Sequence, residues 1–162
     1  MTQYEKIFLR SAVWDDVYSL YEWSNSDEVR KVSINNSKFC FESHKKWFEE
    51  CLNNSQVKIL IAEDSNDYPV GQIRFNQIDE LNAEVHVNTR PELTGLGIGT
   101  KIIRIGTEKY LETTEVLFIN ALILKSNLAS IKAFKKADYR FRSNISSKGK
   151  SLIKLTKFRI QK

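Results

Sequence analysis

Hydrophobic positions recur at helical spacing in the first third of the chain. In "WDDVYSLYEW" the apolar side chains stand three or four positions apart, which predicts an amphipathic helix; they are Trp14, Val17, Tyr18, Leu20 and Tyr21. Two more short helices are predicted in "SDEVRKVS" and "SHKKWFEECL". Ser43 is a candidate N-cap of the second of these.

The period changes in the middle of the chain. The runs "VKILIAE", "VGQIRFNQI" and "NAEVHVNT" are short and rich in β-branched residues, and "EDSNDYP" and "DELN" between them are rich in turn-forming residues. Short connections between such strands predict an antiparallel meander. The earlier run "KIFLR" is expected to be the first strand.

The last third alternates between the two periods. A helix is expected from about Gly97 to Thr113, and a helix capped by Asn127 in "NLASIKAFKKA". The apolar face of the first of these is formed by Ile98, Ile102, Ile105 and Tyr110. Between them, "EVLFINALIL" predicts a strand covered on both sides. A hairpin around "SSKGK" follows, so residues 1–162 are predicted to form a single α+β domain.

Length and composition narrow the class of protein. A chain of 162 residues is long enough for one sizeable core, and no apolar run approaches the roughly 20 residues that cross a bilayer. The charged N-terminal sequence does not resemble a signal peptide, so a cytoplasmic protein without membrane association is expected. Cys40 and Cys51 lack the spacing of a metal site or a disulfide framework, and we therefore expect no metal.

Charge is distributed unevenly along the chain. Residues 125–162 carry a net charge of +11 and residues 1–124 a net charge of −6. Such asymmetry is typical of a nucleic-acid-binding arm, but also of a folded face that receives a small polyphosphate. The regular apolar positions of "SLIKLTKFRI" favour the folded face, and we expect no nucleic-acid partner.

Three closely spaced glycines precede the fourth helix in "TRPELTGLGIGTK". A strand ends near Thr89, and Gly95, Gly97 and Gly99 then lead directly into the helix. The unpaired amides and the dipole of a helix start, approached over glycine, suit a diphosphate. A dinucleotide fingerprint needs GxGxxG in a parallel unit, and a phosphate-binding P-loop needs GKS or GKT; this sequence has neither. A turn that merely allows close packing is the structural alternative.

Two motifs together resemble the GNAT acetyltransferase superfamily. Thr94 to Gly99 is similar to its Q/R-x-x-G-x-G/A motif, with Thr94 in place of Gln or Arg. A second motif, N-x-x-S/A-x-x-x-Y/F-x-K-x-G-F, is matched by Asn127, Ser130, Phe134, Lys136 and Tyr139. Asp138 stands where glycine is usual, and Asp tolerates a left-handed turn better than most residues. The resemblance implies a mixed, mostly antiparallel sheet of six to seven strands, splayed between strands 4 and 5 and flanked by about four helices.

The resemblance also implies acetyl-CoA as the donor. Its pyrophosphate would lie on the amides of residues 94–100 and its pantetheine arm between strands 4 and 5, held by Asn127. Phe134 would pack beside the thioester. The implied cofactor-binding residues are Thr89, Thr94, Gly95, Leu96, Gly97, Ile98, Gly99, Thr100, Asn127, Ser130, Phe134 and Lys136.

Acetyl transfer to an amine needs a group that removes the amine proton. Alternation in "AEVHVN" places Glu84, His86 and Asn88 on one face, and these are the candidate catalytic residues. Glu84 would act through water or with a raised pKa, whereas the ordinary pKa of His86 already suits a base. The structural alternative is that they line a polar sheet face. Many relatives have Tyr where this chain has Phe134, which leaves the general acid unassigned.

The N-terminal third is expected to bind the acceptor. Asn25, Arg30, Ser33, His44 and Trp47 resemble the W-x-N-x-x-x-V-R-x-x-S … H-x-x-W-F pattern of amino-sugar N-acetyltransferases of pseudaminic-acid and related nonulosonate pathways. This implies a nucleotide-linked amino sugar as substrate. Structural roles for these residues, acetylation of a protein N-terminus or ribosomal protein, acetylation of a polyamine or drug, and a non-catalytic acetyl-CoA-binding module are the alternatives. A homodimer is left open.

Overall fold

The computed structural model describes residues 4–160, which form seven strands and five α-helices. In chain order these are β1 (Phe8–Ser11), α1 (Val17–Asn25), α2 (Asp27–Lys31), α3 (Phe41–Leu52), β2 (Val57–Glu63), β3 (Pro69–Gln77), β4 (Asn82–Thr89), α4 (Ile98–Glu112), β5 (Phe118–Leu124), α5 (Leu128–Lys136), β6 (Arg140–Ser147) and β7 (Lys150–Phe158). Single 3-10 turns lie at Trp14–Asp16 and Pro91–Leu93.

All seven strands form one sheet, in the order β1-β2-β3-β4-β5-β7-β6. The pair β4–β5 is parallel and every other pair is antiparallel. The predicted α+β class, the meander of β2 to β4 and the mixed sheet are thus confirmed. The five α-helices correspond to the five helical runs predicted from the sequence, one more than the approximate number that the resemblance implied.

Strand alternation gives the sheet two different apolar faces. On one face, residues such as Leu60, Ile73 and Val85 pack against α4 and form the larger core. On the other face, Ile59 and Ile61 of β2 pack against α1 and α3. This second cluster stops at β2, and the neighbouring positions of β3 and β4 on the same face are polar. The sheet therefore has a polar area beside α1 and α3.

Of the helix ends predicted from the sequence, the two ends of α5 agree with the structure and the start of α3 does not. Asn127 caps α5 as predicted, with its Oδ1 accepting from the N–H of Ser130 at 3.1 Å. Asp138 has a φ of 64°, in agreement with a left-handed turn after α5. The prediction of Ser43 as a cap was wrong: α3 begins at Phe41 and its N-cap is Cys40, whose extended backbone starts the helix earlier.

The predicted apolar face of α4 needs a small correction. Ile98, Ile102 and Tyr110 are buried, but Ile105 is only partly buried, and Ile103 is buried instead. Over the described range 4–160, no helix has the length and apolar character needed to cross a bilayer. The same residues contain no group of three or more His, Cys, Asp or Glu side chains placed to hold a metal ion.

Candidate active site

Strands β4 and β5 stay together over only part of their length. Their pairing runs from Asn82 with Phe118 to Glu84 with Asn120. By contrast, β4 remains paired with β3 as far as Thr89, opposite Gly71. Beyond Glu84, the edge of β4 that faces β5 is therefore open. This is the predicted splay, and it leaves main-chain groups of β4 available to an extended ligand.

The start of α4 lies at the end of β4 and has the geometry of an anion site. Gly95 and Gly97 have φ values of 85° and 79°, in the left-handed region that glycine adopts readily. Gly97 is the N-cap, and no described group accepts a hydrogen bond from the amides of Gly97 to Thr100. A Cβ added at Gly95 or Gly97 would meet nothing within 4 Å, so the space beside these two Cα atoms is open. The site fits a diphosphate.

The remaining cofactor candidates lie on α5. Besides capping the helix, Asn127 directs its Nδ2 toward the carbonyl of Val32, 3.4 Å away. Phe134 is buried and makes an edge-on contact with Tyr139, with 5.0 Å between ring centroids. The Tyr139 hydroxyl lies 2.7 Å from the Thr107 hydroxyl. Lys136 is exposed, and its carbonyl accepts from Arg104.

Glu84, His86 and Asn88 do lie on one face of β4. His86 Nε2 is 3.9 Å from Glu84 Oε2, and Asn88 donates to the hydroxyl of Ser24 on α1 at 3.2 Å. Burial, reinforced by the positive charge of Arg74, lowers the pKa of His86 well below its ordinary value. The imidazole, 42% of whose side chain is exposed, is therefore neutral near pH 7 but a weaker base than a free histidine. The ordinary pKa on which the prediction of His86 as the base rested is thus not retained.

Strand β3 extends this face with three further polar residues. Gln72 is paired with Asn88, Arg74 with His86, and Asn76 with Glu84. We refer to these six residues as the polar strip. Gln72 Oε1 and Arg74 Nε are both buried without a hydrogen-bond partner among the described residues. Orphaned buried polar atoms are rare in native proteins and need an explanation.

Three of the predicted acceptor-binding residues hold the loop between α2 and α3. Asn25 exchanges two hydrogen bonds with the backbone of Phe39, at 3.0 and 3.1 Å. Arg30 donates to the carbonyl of Asn35 at 2.9 Å and to the Ser33 hydroxyl at 3.2 Å. The structure thus brings Asn25, Arg30 and Ser33 together around residues 32–40, where their side chains contact the chain itself.

His44 and Trp47 lie on α3, next to this loop. His44 is 4% exposed, with its Nε2 3.1 Å from the carbonyl of Val17. In this position it joins α3 to α1 and does not face an open space. Trp47 is only partly buried, and the guanidinium of Arg74 lies over its ring, 4.9 Å from the centroid. Trp47 therefore joins the N-terminal helices to the polar strip.

Comparison with known proteins agrees with this geometry. The family model for the acetyltransferase (GNAT) domain matches residues 6–140. The chain belongs to the GNAT acetyltransferase family. Its splay and glycine turn are thus those of a GNAT enzyme, an N-acetyltransferase with acetyl-CoA as co-substrate. No curated protein sequence matches the chain.

Solved structures share this GNAT fold at low sequence identity. The aminoglycoside acetyltransferase AAC(6')-Ib, solved with paromomycin and acetyl-CoA, is 20% identical, with a TM-score of 0.82 over 96% of this chain and 94% of that one. The spermidine N-acetyltransferase of Vibrio cholerae, solved with CoA and spermine, is 12% identical, with a TM-score of 0.82 over 94% and 95%. At these identities the likeness concerns the fold.

The polar half of β3 in this GNAT domain was not predicted as part of the site. Gln72, Arg74 and Asn76 belong to no motif, and "VGQIRFNQI" reads simply as an alternating strand. The available signal was the alternation itself, because its polar positions include a glutamine and an arginine in the middle of a central strand. Such strands normally carry apolar residues on both faces or meet solvent on one.

Proposed function

We propose that the protein acetylates the primary amine of a nucleotide-linked amino sugar. Support comes from the residue pattern of the N-terminal third and from the charges around the splay. The polar strip contains one carboxylate, Glu84, and one guanidinium, Arg74. A polycationic acceptor would be met by several acidic side chains. This balance instead suits a single amine on a molecule that also carries negative charge, and it is the observation on which the proposal depends.

In the proposed reaction, acetyl-CoA supplies the activated acetyl group as a thioester. The open edge of β4 and the amides at the start of α4 hold and orient the donor, with Asn127 on its other side. His86, neutral at pH 7, accepts the proton that the amine loses as its nitrogen bonds to the acetyl carbon. Glu84 stabilises the resulting imidazolium. The carbon–sulfur bond breaks, and CoA leaves as a thiolate, because Phe134 has no proton to donate.

A panel of acceptors tests this proposal. We would incubate the protein with acetyl-CoA and, separately, a UDP-linked 4-amino sugar, kanamycin, spermine and a peptide with a free N-terminus. Thiol release and mass spectrometry of the product would be measured. We expect kcat/KM for the amino-sugar nucleotide to exceed that of the others by at least about tenfold. Turnover only with kanamycin or spermine, or only with the peptide, would contradict the proposed substrate and identify the acceptor class instead. CoA binding without thiol release would indicate a non-catalytic module.

A further inference from the structure

Arg74 is a half-buried arginine without a hydrogen-bond or ion-pair partner in the described part of the chain. Its Nε is fully buried, and none of the hydrogen bonds or ion pairs within residues 4–160 involves its guanidinium. Arg30 also has an orphaned Nε, yet its terminal nitrogens donate to the α2–α3 loop. Because a guanidinium remains charged at any ordinary pH, Arg74 carries a positive charge that no hydrogen bond or ion pair among the described residues satisfies.

No carboxylate among the described residues forms an ion pair with that charge. Glu84 lies opposite Asn76, two positions along β4 from His86, and its charge favours the charged form of Arg74, but among the described residues no ion pair joins the two. Cys51 is close, but burial raises the pKa of its thiol and keeps it protonated. A charged group with a desolvated, unpaired donor is costly to stability, so a residue of this kind needs a reason to be retained.

The guanidinium also borders an open cavity of about 260 Å³ on the α3 side of the sheet. Besides Arg74, it is lined by Trp47, Glu50, Cys51, Asn54, Val57 and Asn76. Within the described residues, no ion pair joins Glu50 to Arg74. The volume is sufficient for a phosphate or carboxylate group. The Trp47 ring, 4.9 Å from the guanidinium carbon, restrains the arginine by a cation–π contact.

We propose that Arg74 is a specificity-determining residue that binds an oxyanion of the acceptor in this cavity, while the amine of the same molecule reaches His86. A planar guanidinium offers two parallel donors to a phosphate or carboxylate, which lysine does not. The oxyanion supplies the missing counter-charge, so Arg74 is fully paired only when the acceptor is bound. This inference rests on the proposed function and deepens it, because the diphosphate of a sugar nucleotide is one source of the oxyanion.

Two variants and a matched control test the role of Arg74. Arg74→Met removes the charge but keeps a long side chain. Arg74→Lys keeps the charge but lacks the two parallel donors of the guanidinium. Arg142→Met is the control, since Arg142 also stacks on an aromatic ring, 5.0 Å from Phe158. Initial rates would be measured at saturating acetyl-CoA with the UDP-linked 4-amino sugar, the same sugar without nucleotide, and an amino sugar bearing a carboxylate.

For Arg74→Met we expect KM for the nucleotide-linked acceptor to rise at least about tenfold, with Arg74→Lys intermediate. KM for acetyl-CoA and KM for the uncharged sugar should change by less than about twofold. Because loss of the Arg74 charge also raises the pKa of His86, any change in kcat should be shared by the charged and uncharged acceptors. Loss confined to the carboxylate-bearing sugar would identify a carboxylate as the oxyanion and would contradict the nucleotide part of the proposed function. Unchanged KM for both anionic acceptors would overturn the role of Arg74 and leave the proposed function intact.

Two binding measurements do not depend on turnover. With the CoA site saturated, UDP should raise the Tm of the wild type and of Arg142→Met, but not that of Arg74→Met. Without ligand, Arg74→Met should be at least as stable as the wild type, because a buried unpaired charge is lost. A lower Tm for unliganded Arg74→Met, together with no UDP binding to the wild type, would show that Arg74 is a structural residue.

Discussion

His86 Nε2 lies 3.9 Å from Glu84 Oε2 on the exposed side of β4, where β4 and β5 separate. At this distance the carboxylate exerts an electrostatic influence on the imidazole without a direct hydrogen bond. On the other side, the positive charge of Arg74 acts in the opposite sense and lowers the pKa of His86. His86 thus lies near two opposite charges, and that of Arg74 lowers its pKa.

Substitution of His86 should slow acetyl transfer more than substitution of Glu84 does. We expect His86→Gln to lower kcat about 100-fold, as is typical for loss of a general base. Because the pKa of His86 is lowered, the acid limb of kcat/KM in the wild type should lie below pH 6.5 and disappear in this variant. Glu84→Gln should retain the limb but move it to lower pH, since a stabilising negative charge is lost. A full pH–rate profile unchanged by His86→Gln would exclude His86 as the base.

Alanine substitutions in the glycine turn should separate folding from donor binding. At Gly99 a Cβ would meet only Thr89 Cγ2 at 3.7 Å, an ordinary contact, so Gly99→Ala should leave stability intact. If the diphosphate lies on this turn, the same methyl group obstructs it, and the Kd for CoA should rise about tenfold or more. Calorimetric titration with CoA measures this. Unchanged affinity would remove Gly99 from the binding surface.

Gly149 provides a control for Gly97, because alanine at either position introduces the same kind of backbone strain. Their φ values, 79° and 73°, are similar, and a Cβ at either position meets nothing. Alanine should therefore destabilise both by about 1–2 kcal/mol. Only Gly97→Ala should also weaken CoA binding, because Gly149 lies in the hairpin turn between β6 and β7.

Asn127 has two separable roles. Asn127→Ala should lower the free energy of unfolding by about 1 kcal/mol through loss of the cap on α5. Asn127→Asp retains an oxygen for the Ser130 amide, so its stability should match that of the wild type. Both lack the amide nitrogen, and if this group holds the pantetheine arm, KM for acetyl-CoA should rise equally in both. Denaturant melts and donor kinetics distinguish the two roles. A wild-type KM for acetyl-CoA in Asn127→Asp would show that Asn127 caps α5 and does not hold the donor.

Stability should fall when the pH is lowered from 7 to 5. The pKa values of His44 and His86, the only two histidines, are both lowered in the folded state, chiefly by burial. Below about pH 6.5 the unfolded chain therefore binds more protons than the folded chain, and the free energy of unfolding decreases. Lowered carboxylate pKa values, as at Asp27 and Asp79, act only below about pH 4.

The double variant His44→Phe with His86→Gln tests this explanation. Its Tm should depend less on pH between 7 and 5 than that of the wild type, even if it is lower at pH 7 because His44 no longer contacts the Val17 carbonyl. Equal slopes of Tm against pH would assign the acid sensitivity to other groups.

Much of the fold is local in origin, which explains why it could be predicted. The meander follows from three alternating runs with short connections, and the ends of α4 and α5 follow from Gly97 and Asn127. The start of α3 was misplaced because Cys40 is a weak capping residue, and its extended backbone is set by the loop before it. Local propensity contains no information on that tertiary restraint.

The parts of the site that consist of contiguous residues were predictable, whereas the parts that tertiary structure brings together were not. The glycine turn and the face of Glu84 and His86 are properties of contiguous residues. Arg74 acquires its importance from Trp47 and His86, which lie 27 positions before and 12 after it. The roles expected for Asn25 and Arg30 were also incomplete, since their polar groups contact a loop that only the tertiary structure brings to them.

The loop between α2 and α3 is held chiefly through its main chain. Arg30, Lys150 and Asn127 donate to the carbonyls of Asn35, Ile34 and Val32, respectively. A carbonyl is the same whichever residue carries it, so these anchors do not depend on the side chains of the loop. Residues such as Ile34 and Asn36 can therefore diverge between relatives while the path of the loop is preserved, and selectivity for new acceptors can evolve there without loss of the scaffold.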